Sequence, residues 1–456
     1  MSYFDNRIRF HRDGILYNVH ALAIPMFEQH CGENMSNLIS NFLDIVCSDW
    51  RVKLIGVSTD GASVMTGPVK GVATRIEKEA THKIYRVWCG LHQLDLVMKY
   101  AYKDLQCSDA EFNKIMHVLT GYLRRQQTLI NDMKSICPKA TTRWTAMGGT
   151  CNWLLERRVP LLKYIAKDDP TKAPPSWWWV AVAGINAIAE QVNIVFIKLQ
   201  ARDLLLSQQA TAFDELAVSI CGQIDIHGPH TADQIAAIDK CNNYTFSRWS
   251  ISNQNIINYL YDQGTFIEDT YNQLPIRSQI DVIHMIGLLI IHIVDGVLNI
   301  QAERDSTNLS TNDLPPVLPH ELVKIPGREF TKIVSMYINH LKQVWSEELI
   351  DRLELQHRQL LNAYQQESSL KSALNGCDGN TSFESGWSIV KGACRFNVLM
   401  DFCGGIATTF PNTATVESDF SVLGWEKDEY RKSLTDLSLE GIMQCKQFDL
   451  MSRLVE

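Results

Sequence analysis

The sequence predicts an α/β fold in which a mixed sheet flanked by helices is interrupted by a large all-α insertion. Three observations lead to this prediction. Strand and helix patterns alternate over residues 1–105, helical periodicity dominates residues 109–385, and the chain ends in amphipathic helices over residues 410–454. This order of elements is typical of helices packed on a sheet rather than of an all-helical protein.

The first elements are predicted to be a β-hairpin. The alternating residues Arg7–Arg12 and the more apolar Ile15–Pro25 flank Asp13 and Gly14, a pair that favours a tight turn. Helices and buried strands then alternate, and a helical crossover between two strands predicts a parallel pair. In chain order these are helix Glu33–Trp50, strand Lys53–Ser58, helix Gly71–Ala80, strand Lys83–Trp88 and helix Leu91–Leu105.

Length and composition limit the classes of protein. A chain of 456 residues exceeds what one compact core usually holds, so two domains, or one with a large insertion, are expected. Its 43 Lys and Arg against 51 Asp and Glu exclude a surface that is basic throughout, so any DNA contact must come from a local patch. Twelve scattered cysteines without a CxxC pair or a secretory signal indicate reduced thiols inside the cell.

Two apolar segments of the helical region are interpreted as packed helices. Val282–Ile300 contains His284, His292 and Asp295, which would be costly in lipid, so a buried helix is predicted rather than a membrane span. The triplet Trp177–Trp179 points in three directions around a helix, so we expect that not all three rings lie in the core.

Asp60 is the first candidate for chemistry. Metal-dependent phosphoryl transfer needs carboxylates that meet at the carboxyl ends of adjacent strands, and Asp60 follows a buried strand. The small residues Gly61, Ala62 and Ser63 would let a substrate backbone approach. An aspartate at such a turn can instead cap a helix or form an Asx turn. Spacing alone favours these structural roles over chemistry.

Four segments, in order, resemble motifs of the hAT family of transposases and the proteins domesticated from them. Val57–Gly67 (VSTDGASVMTG) resembles the segment that holds the second acidic residue of the family's catalytic triad. Trp88–Leu96 resembles the CxxH segment, Thr142–Trp144 the TRW motif, and Phe410–Ser421 the C-terminal SERxFS signature with the third catalytic carboxylate.

The resemblance implies a fold, a reaction and roles for particular residues. It implies an RNase H-like core whose first part is 1–140, a helical insertion domain at 141–385, and a last core helix with a dimerisation region at 386–456. The family's reaction is metal-assisted cutting of DNA at transposon ends, followed by strand transfer. Asp60 and Glu417 would hold Mg²⁺ or Mn²⁺, and His92 would support this catalytic site.

DNA-binding candidates follow from the same resemblance and from charge. Arg143 and Trp144 of the TRW motif are associated in the family with handling of the DNA end, although Trp144 could also be a core or hinge aromatic. Arg124 and Arg125 begin a stretch, ending at Lys167, in which nine cations face two acids. A solvated helical face is the alternative to a phosphate-contacting surface.

Zinc is not expected. Cys89 and His92 offer only half of a tetrahedral site and no second pair is apparent, so a packed core thiol and a hydrogen-bonded imidazole are favoured.

The sequence also departs from the family pattern. Ser418 stands where the family has arginine, and Asp419 then adds an anion beside Glu417, which predicts impaired strand transfer. The family's first catalytic aspartate ends a strand that precedes the opening hairpin, and the chain starts too late to contain it. Neither Asp5 nor Asp13 is expected to replace it, and no zinc finger for specific DNA recognition is apparent. Loss of one metal-sharing carboxylate predicts abolished or residual activity.

The resulting prediction is a nuclear, transposon-derived, hAT transposase-like protein with impaired catalysis. It would form a homodimer through a C-terminal region around Leu434, Leu437 and the helix to Leu454, bind DNA weakly or without specificity, and not enter a membrane. The main alternative is a non-enzymatic domesticated scaffold that acts through protein dimerisation. An unrelated RNase H-like nuclease is a third possibility, which requires a different carboxylate near Asp60.

Overall fold

The computed structural model describes residues 2–103, 105–107, 110–140, 145–300, 314–390, 395–426 and 434–455. The protein is mostly helical, with 65% of its residues in helices and 10% in strands. The strands form small sheets, so the fold is of the mixed α/β class.

The chain divides into two compact units. The first consists of Met1–His92, Leu199–Thr211 and Gln301–Glu456, and the second of Gln93–Lys198 and Ala212–Ile300. The first unit is therefore interrupted twice in sequence. The boundary predicted at residue 140 lies inside the second unit, and the boundary predicted at residue 385 lies inside the first.

The predicted opening hairpin is confirmed. Strands β1 (Ser2–Arg12) and β2 (Ile15–Met26) pair antiparallel, and their register shifts once, between Asn6 and Arg7. Asp13 and Gly14 adopt φ angles of 51° and 83° in the turn between them. Two successive positive φ angles match the right-handed twist of the flanking strands, and for this reason Asp-Gly is favoured there.

The predicted parallel pair is also confirmed. Strands β3 (Gly56–Thr59) and β4 (Tyr85–Trp88) run parallel, with Thr59 opposite Trp88. However, the described residues do not form one mixed sheet, because no described strand pairs with both the hairpin and the parallel pair. Two short antiparallel pairs complete the described strands. Strand β5 (Gln106–Cys107) pairs with β6 (Ala110–Glu111) at the start of the region predicted to be helical, and β7 (Asn243–Phe246) pairs with β8 (Trp249–Ser252) within it.

Helices make up most of the remaining described chain. In order they are α1 (Gly32–Val46), α2 (Trp50–Lys53), α3 (Ser63–Thr66), α4 (Val72–Glu79), α5 (Gly90–Ala101), α6 (Phe112–Leu123), α7 (Gln127–Met133), α8 (Thr145–Glu156), α9 (Arg158–Asp168), α10 (Ser176–Leu199), α11 (Leu206–Ile224), α12 (Ala232–Ala237), α13 (Asn253–Tyr261), α14 (Thr265–Asn272), α15 (Ile276–Leu298), α16 (Pro319–Leu322), α17 (Gly327–Val344), α18 (Glu347–Gln366), α19 (Ser368–Asn375), α20 (Phe383–Ser388), α21 (Asn397–Ala407), α22 (Ala414–Glu426), α23 (Asp436–Cys445) and α24 (Phe448–Val455).

Helices α1 and α4 pack together beside the parallel pair. Met35, Ile39 and Leu43 recur every fourth residue along α1 and contact a buried cluster that includes Trp50 and Ile76. This spacing places them on one face of the helix. Helix α1 ends at Val46, four residues earlier than predicted, and the chain resumes as the short helix α2.

The hairpin carries the C-terminal helices of the first unit. Helices α21 and α22 contact β1, and α23 contacts β2. Ala23 of β2 forms a small buried cluster with Leu423 of α22 and with Leu439 and Met443 of α23. The predicted C-terminal stripe over Leu434–Leu454 is therefore two helices, and one face of α23 is already occupied by the hairpin.

The three tryptophans of the second unit are all buried, which corrects the expectation that at least one would lie outside the core. Trp177, Trp178 and Trp179 are 7%, 0% and 3% exposed. Helix α10 is covered on several sides, since Trp178 stacks on Phe112 and its indole N–H donates to the Phe112 carbonyl.

Helices α10 and α15 are long and apolar enough to cross a membrane by length and composition alone. More than half of each apolar window is buried inside the protein, and core helices pass the same test. The predicted burial of the segment with His284 and His292 agrees with α15, whose residues Val282, Met285 and Ile286 are buried.

Candidate functional site

Asp60 lies at the carboxyl end of β3, where the sequence predicted it. Its side chain is exposed, and its Oδ1 accepts a hydrogen bond from the Ala62 backbone N–H at 3.1 Å, which is an Asx turn. Gly61 lies against the indole of Trp88, and a Cβ atom at Gly61 would be 2.2 Å from the Trp88 Nε1 atom. The turn is therefore narrow, and Asp60 projects from it toward solvent.

Cys89 connects this strand end to two helices. Its backbone N–H donates to the Thr59 carbonyl at 2.9 Å, which continues the parallel pairing by one residue. Its Sγ atom accepts a hydrogen bond from the Thr413 backbone N–H at 3.3 Å and another from the backbone of His92. Because the thiol is fully buried, its pKa is raised above the usual value, so Cys89 is a packing residue rather than a nucleophile.

Cys89 is connected to the elements that carry the three residues predicted to be catalytic. His92 lies half-buried in the first turn of α5. Glu417 lies in the first turn of α22, with its backbone N–H bonded to the Thr413 carbonyl, and its charge contributes to the raised pKa of Cys89. Cys89 therefore links the end of the parallel pair, beside Asp60, to the first turns of the helices that carry His92 and Glu417.

Helix α22 presents two different faces. Asn412 caps its start by accepting a hydrogen bond from the Ala414 N–H at 2.9 Å, while its own side-chain amide donates to the Leu199 carbonyl at 2.7 Å. Thr415, Asp419 and Leu423 recur every fourth residue and are buried, whereas Glu417 is exposed. Glu417 and Asp419 therefore point in different directions, although they are only two residues apart.

Asp419 belongs to a buried cluster of charged side chains beneath the hairpin. Arg7 donates to its two carboxylate oxygens at 2.5 and 2.9 Å. His20 Nδ1 lies 3.5 Å from Asp419 Oδ2 and 3.1 Å from Asp5 Oδ1, and His20 Nε2 lies 3.2 Å from Glu440 Oε1. The anion that was expected to repel charge beside Glu417 is thus paired with two cations of the hairpin.

These pairings shift the pKa values of the cluster. Burial alone would lower the pKa of His20, but Asp419, Asp5 and Glu440 together raise it to about 11. The pKa of Asp5 is raised, because the effect of burial exceeds the lowering effect of His20. For Asp419 the opposite holds, because its interactions with His20 and Arg7 outweigh burial and hold its pKa below the usual range.

The cluster combines the donors that bind metal ions. Within the part of the chain that the structure describes, one group of three His, Cys, Asp or Glu side chains has ligand atoms all within 4.8 Å of one another, and it is Asp5, His20 and Asp419. Asp60 and Glu417 form no such group with a third described residue.

Sequence reasoning did not find the hairpin cluster. Asp5 was considered only as a substitute catalytic aspartate, Asp419 only as a disruptive anion, and His20 was not a candidate. One signal was present, because Asp5, Arg7, Arg9 and His11 alternate along β1. Alternating charged residues on a strand that the C-terminal helices cover predict buried ion pairs, but which helix covers the strand is not visible in the sequence.

The DNA-binding candidates are either outside the described residues or in the second unit. Arg143 and Trp144 are outside the described residues. Arg124 and Arg125 are exposed at the end of α6, and Arg124 donates to the Cys137 carbonyl at 2.6 Å. Within the basic stretch, Arg157 pairs with Glu156, and Arg158 lies over the ring of Phe266 at 3.5 Å. The exposed cations Lys163 and Lys167 remain available to phosphate.

No model of a known protein family matches this chain, and no curated protein matches it.

Proposed function

We propose that this protein is hAT transposase-like and transposon-derived, acts in the nucleus, dimerises and binds DNA, with an RNase H-like core that is related to metal-dependent DNA cleavage and strand transfer but is catalytically impaired. The fold class and the four ordered motifs are compatible with this proposal. The observation that supports it is that Cys89, next to the strand end that precedes Asp60, bonds to the backbone of His92 and of Thr413, one helical turn before Glu417.

This arrangement of Asp60, His92 and Glu417 supports the proposal because the residue types match the chemistry. Two exposed carboxylates at the carboxyl end of a parallel pair can bind Mg²⁺ or Mn²⁺ and still leave room for a phosphate. The half-buried imidazole of His92 can move a proton or orient a water molecule. No third described carboxylate completes a close group with Asp60 and Glu417, which supports impaired rather than full activity.

A DNA cleavage assay with Mg²⁺ or Mn²⁺ tests the proposal. We expect residual nicking that is lost in both Asp60→Asn and Glu417→Gln and retained in Glu348→Gln, a matched control that changes an exposed carboxylate on α18. Nicking that survives in both site variants would contradict a metal site at these residues.

DNA binding in the same samples separates the remaining outcomes. Binding that weakens as salt increases, with or without nicking, supports the proposal, because contacts to phosphate release counterions. Absence of both binding and nicking would overturn the DNA function and favour the non-enzymatic scaffold.

Exposed apolar residues support dimerisation through the C-terminal region. Trp425, Leu437 and Phe448 are 79%, 84% and 69% exposed. Large apolar side chains at such exposure are typical of surfaces that a partner covers. The same observation favours the scaffold alternative, which needs dimerisation but no catalysis.

Point substitutions test the dimer better than a deletion. Removing residues 434–456 would also remove Leu439 and Glu440, which pack against the hairpin. We expect Leu437→Lys with Phe448→Ser to convert a dimer to a monomer by light scattering. Ile45→Lys changes an equally exposed residue of α1, at 84%, and should leave the mass unchanged. A dimer that persists in the double variant would exclude this surface.

A further inference from the structure

The buried carboxylate of Asp5 lies beside the imidazole of His20 but makes no hydrogen bond. Its side chain is 0% exposed, and neither carboxylate oxygen accepts a hydrogen bond. His20 Nδ1 lies 3.1 Å from Asp5 Oδ1 but also makes no hydrogen bond. Burying a carboxylate without hydrogen bonds is unfavourable, and the donor atoms of Asp5, His20 and Asp419 all lie within 4.8 Å of one another.

We propose that Asp5, His20 and Asp419 bind a divalent transition-metal ion of the Zn²⁺ or Mn²⁺ class, which fastens the opening hairpin to helix α22. This site is separate from the Asp60 and Glu417 pair, and the inference goes beyond the proposed function.

The spacing of the donor atoms fits a coordination sphere. Metal bonds to imidazole nitrogen and carboxylate oxygen are ~2.0–2.2 Å long, so neighbouring donors in octahedral or tetrahedral geometry lie ~3.0–3.5 Å apart. The His20 Nδ1 atom lies 3.1 Å from Asp5 Oδ1 and 3.5 Å from Asp419 Oδ2. An ion beside His20 Nδ1 would therefore have both carboxylates nearby, since all three donor atoms lie within 4.8 Å of one another.

The surrounding residues resemble the second shell of a metal site. His20 uses its other ring nitrogen, Nε2, toward the carboxylate of Glu440, and Glu440 is held by the Ala23 N–H at 2.9 Å and by Gln444. A carboxylate in this position orients a metal-binding imidazole and increases its basicity. Arg7 fixes the Asp419 carboxylate in the same manner.

Charge and donor chemistry select the kind of ion. If His20 releases its proton to bind the ion, Arg7 and one divalent ion would balance the three negative charges of Asp5, Asp419 and Glu440. Imidazole with carboxylates suits Zn²⁺ and Mn²⁺, whereas Mg²⁺ prefers oxygen ligands alone.

The site also has a path to solvent. A cavity of about 330 Å³ is lined by Arg7, His20 and Asp419 together with Lys446 and Arg453. An ion could enter through it, and a water molecule there could complete the coordination, as in sites with three protein ligands.

Isothermal titration of chelator-treated protein with Zn²⁺, and separately with Mn²⁺, tests the proposal. We expect one ion to bind per chain at this site. Asp5→Asn should weaken binding more than ~100-fold, because it removes a direct ligand, and Glu440→Gln should weaken it by ~10–100-fold, the usual effect of a second-shell change. Equal affinity in the wild type and in folded Asp5→Asn would overturn the proposal.

Two further measurements keep the result independent of variant folding and of the DNA proposal. X-ray absorption of the zinc-loaded wild type should show imidazole and oxygen ligands, and sulfur scattering at ~2.3 Å would instead indicate cysteine ligation and overturn the assignment. The double variant Asp60→Asn with Glu417→Gln should bind the ion as the wild type does. Loss of binding in that variant would place the ion at the other pair of carboxylates.

Discussion

Replacing Asp419 with alanine is expected to destabilise the first unit by about 3–5 kcal/mol when metal is removed with a chelator. The Asp419 and Arg7 side chains are only 7% and 12% exposed, so solvent screens their interaction weakly. Alanine would leave Arg7 without its carboxylate partner and His20 with one fewer anion, and an unpaired buried charge accounts for costs of this size.

Urea unfolding followed by circular dichroism measures this loss, and the same variant should unfold roughly 6–20 °C lower on heating. Glu417→Ala is the matched control, because Glu417 lies on the same helix but is exposed, and its replacement should change stability by less than ~0.5 kcal/mol. The double variant Arg7→Met with Asp419→Leu should recover most of the loss, since both charges are then removed together. An Asp419→Ala variant within ~1 kcal/mol of the wild type would show that the buried cluster does not hold the hairpin.

Three further outcomes follow from other parts of the structure. Burial and the stacked His340 ring lower the pKa of His82 to about 4, and burial lowers the pKa of His340. Both imidazoles bind protons more readily in the unfolded chain, so stability should fall as the pH decreases from about 6.5 toward 4. Loss of about 1–2 kcal/mol in urea titrations is expected after allowing for partial exposure, and a flat profile would contradict it. Gly61→Ala should lower the free energy of unfolding by ~1–3 kcal/mol in urea titrations, because the added Cβ atom would collide with the Trp88 ring. Unchanged stability would mean that the turn shifts freely. Leu439→Ala, at a fully buried position, should cost ~2–5 kcal/mol by the same measurement, and a change below ~1 kcal/mol would indicate that α23 is loosely attached.

Local patterns predicted the elements of the first unit well. Asp13-Gly14 between alternating residues predicted the hairpin, and two short apolar strands separated by a helix predicted the parallel pair. These predictions hold because turn chemistry and side-chain periodicity act between neighbouring residues. Strand and helix ends differ from prediction by a few residues, as at Val46, where the chain breaks before α2.

Long-range pairing was predicted less completely. The described strands do not form the single mixed sheet that was predicted. Pairing between the hairpin and β3 would depend on residues far apart in sequence, and local patterns cannot specify such partners. The tryptophan triplet was expected to reach the surface because its rings point in different directions around the helix, but all three rings are buried.

The sequence by itself determined the strand end at Asp60, the helix start near Glu417 and the resemblance that links them, since these depend on short contiguous segments. Only the tertiary structure decided that Asp419 turns away from Glu417 and joins Asp5 and His20 beneath the hairpin. The reason is physical: a helix distributes adjacent residues over different faces, and which face becomes buried depends on the element that packs against it.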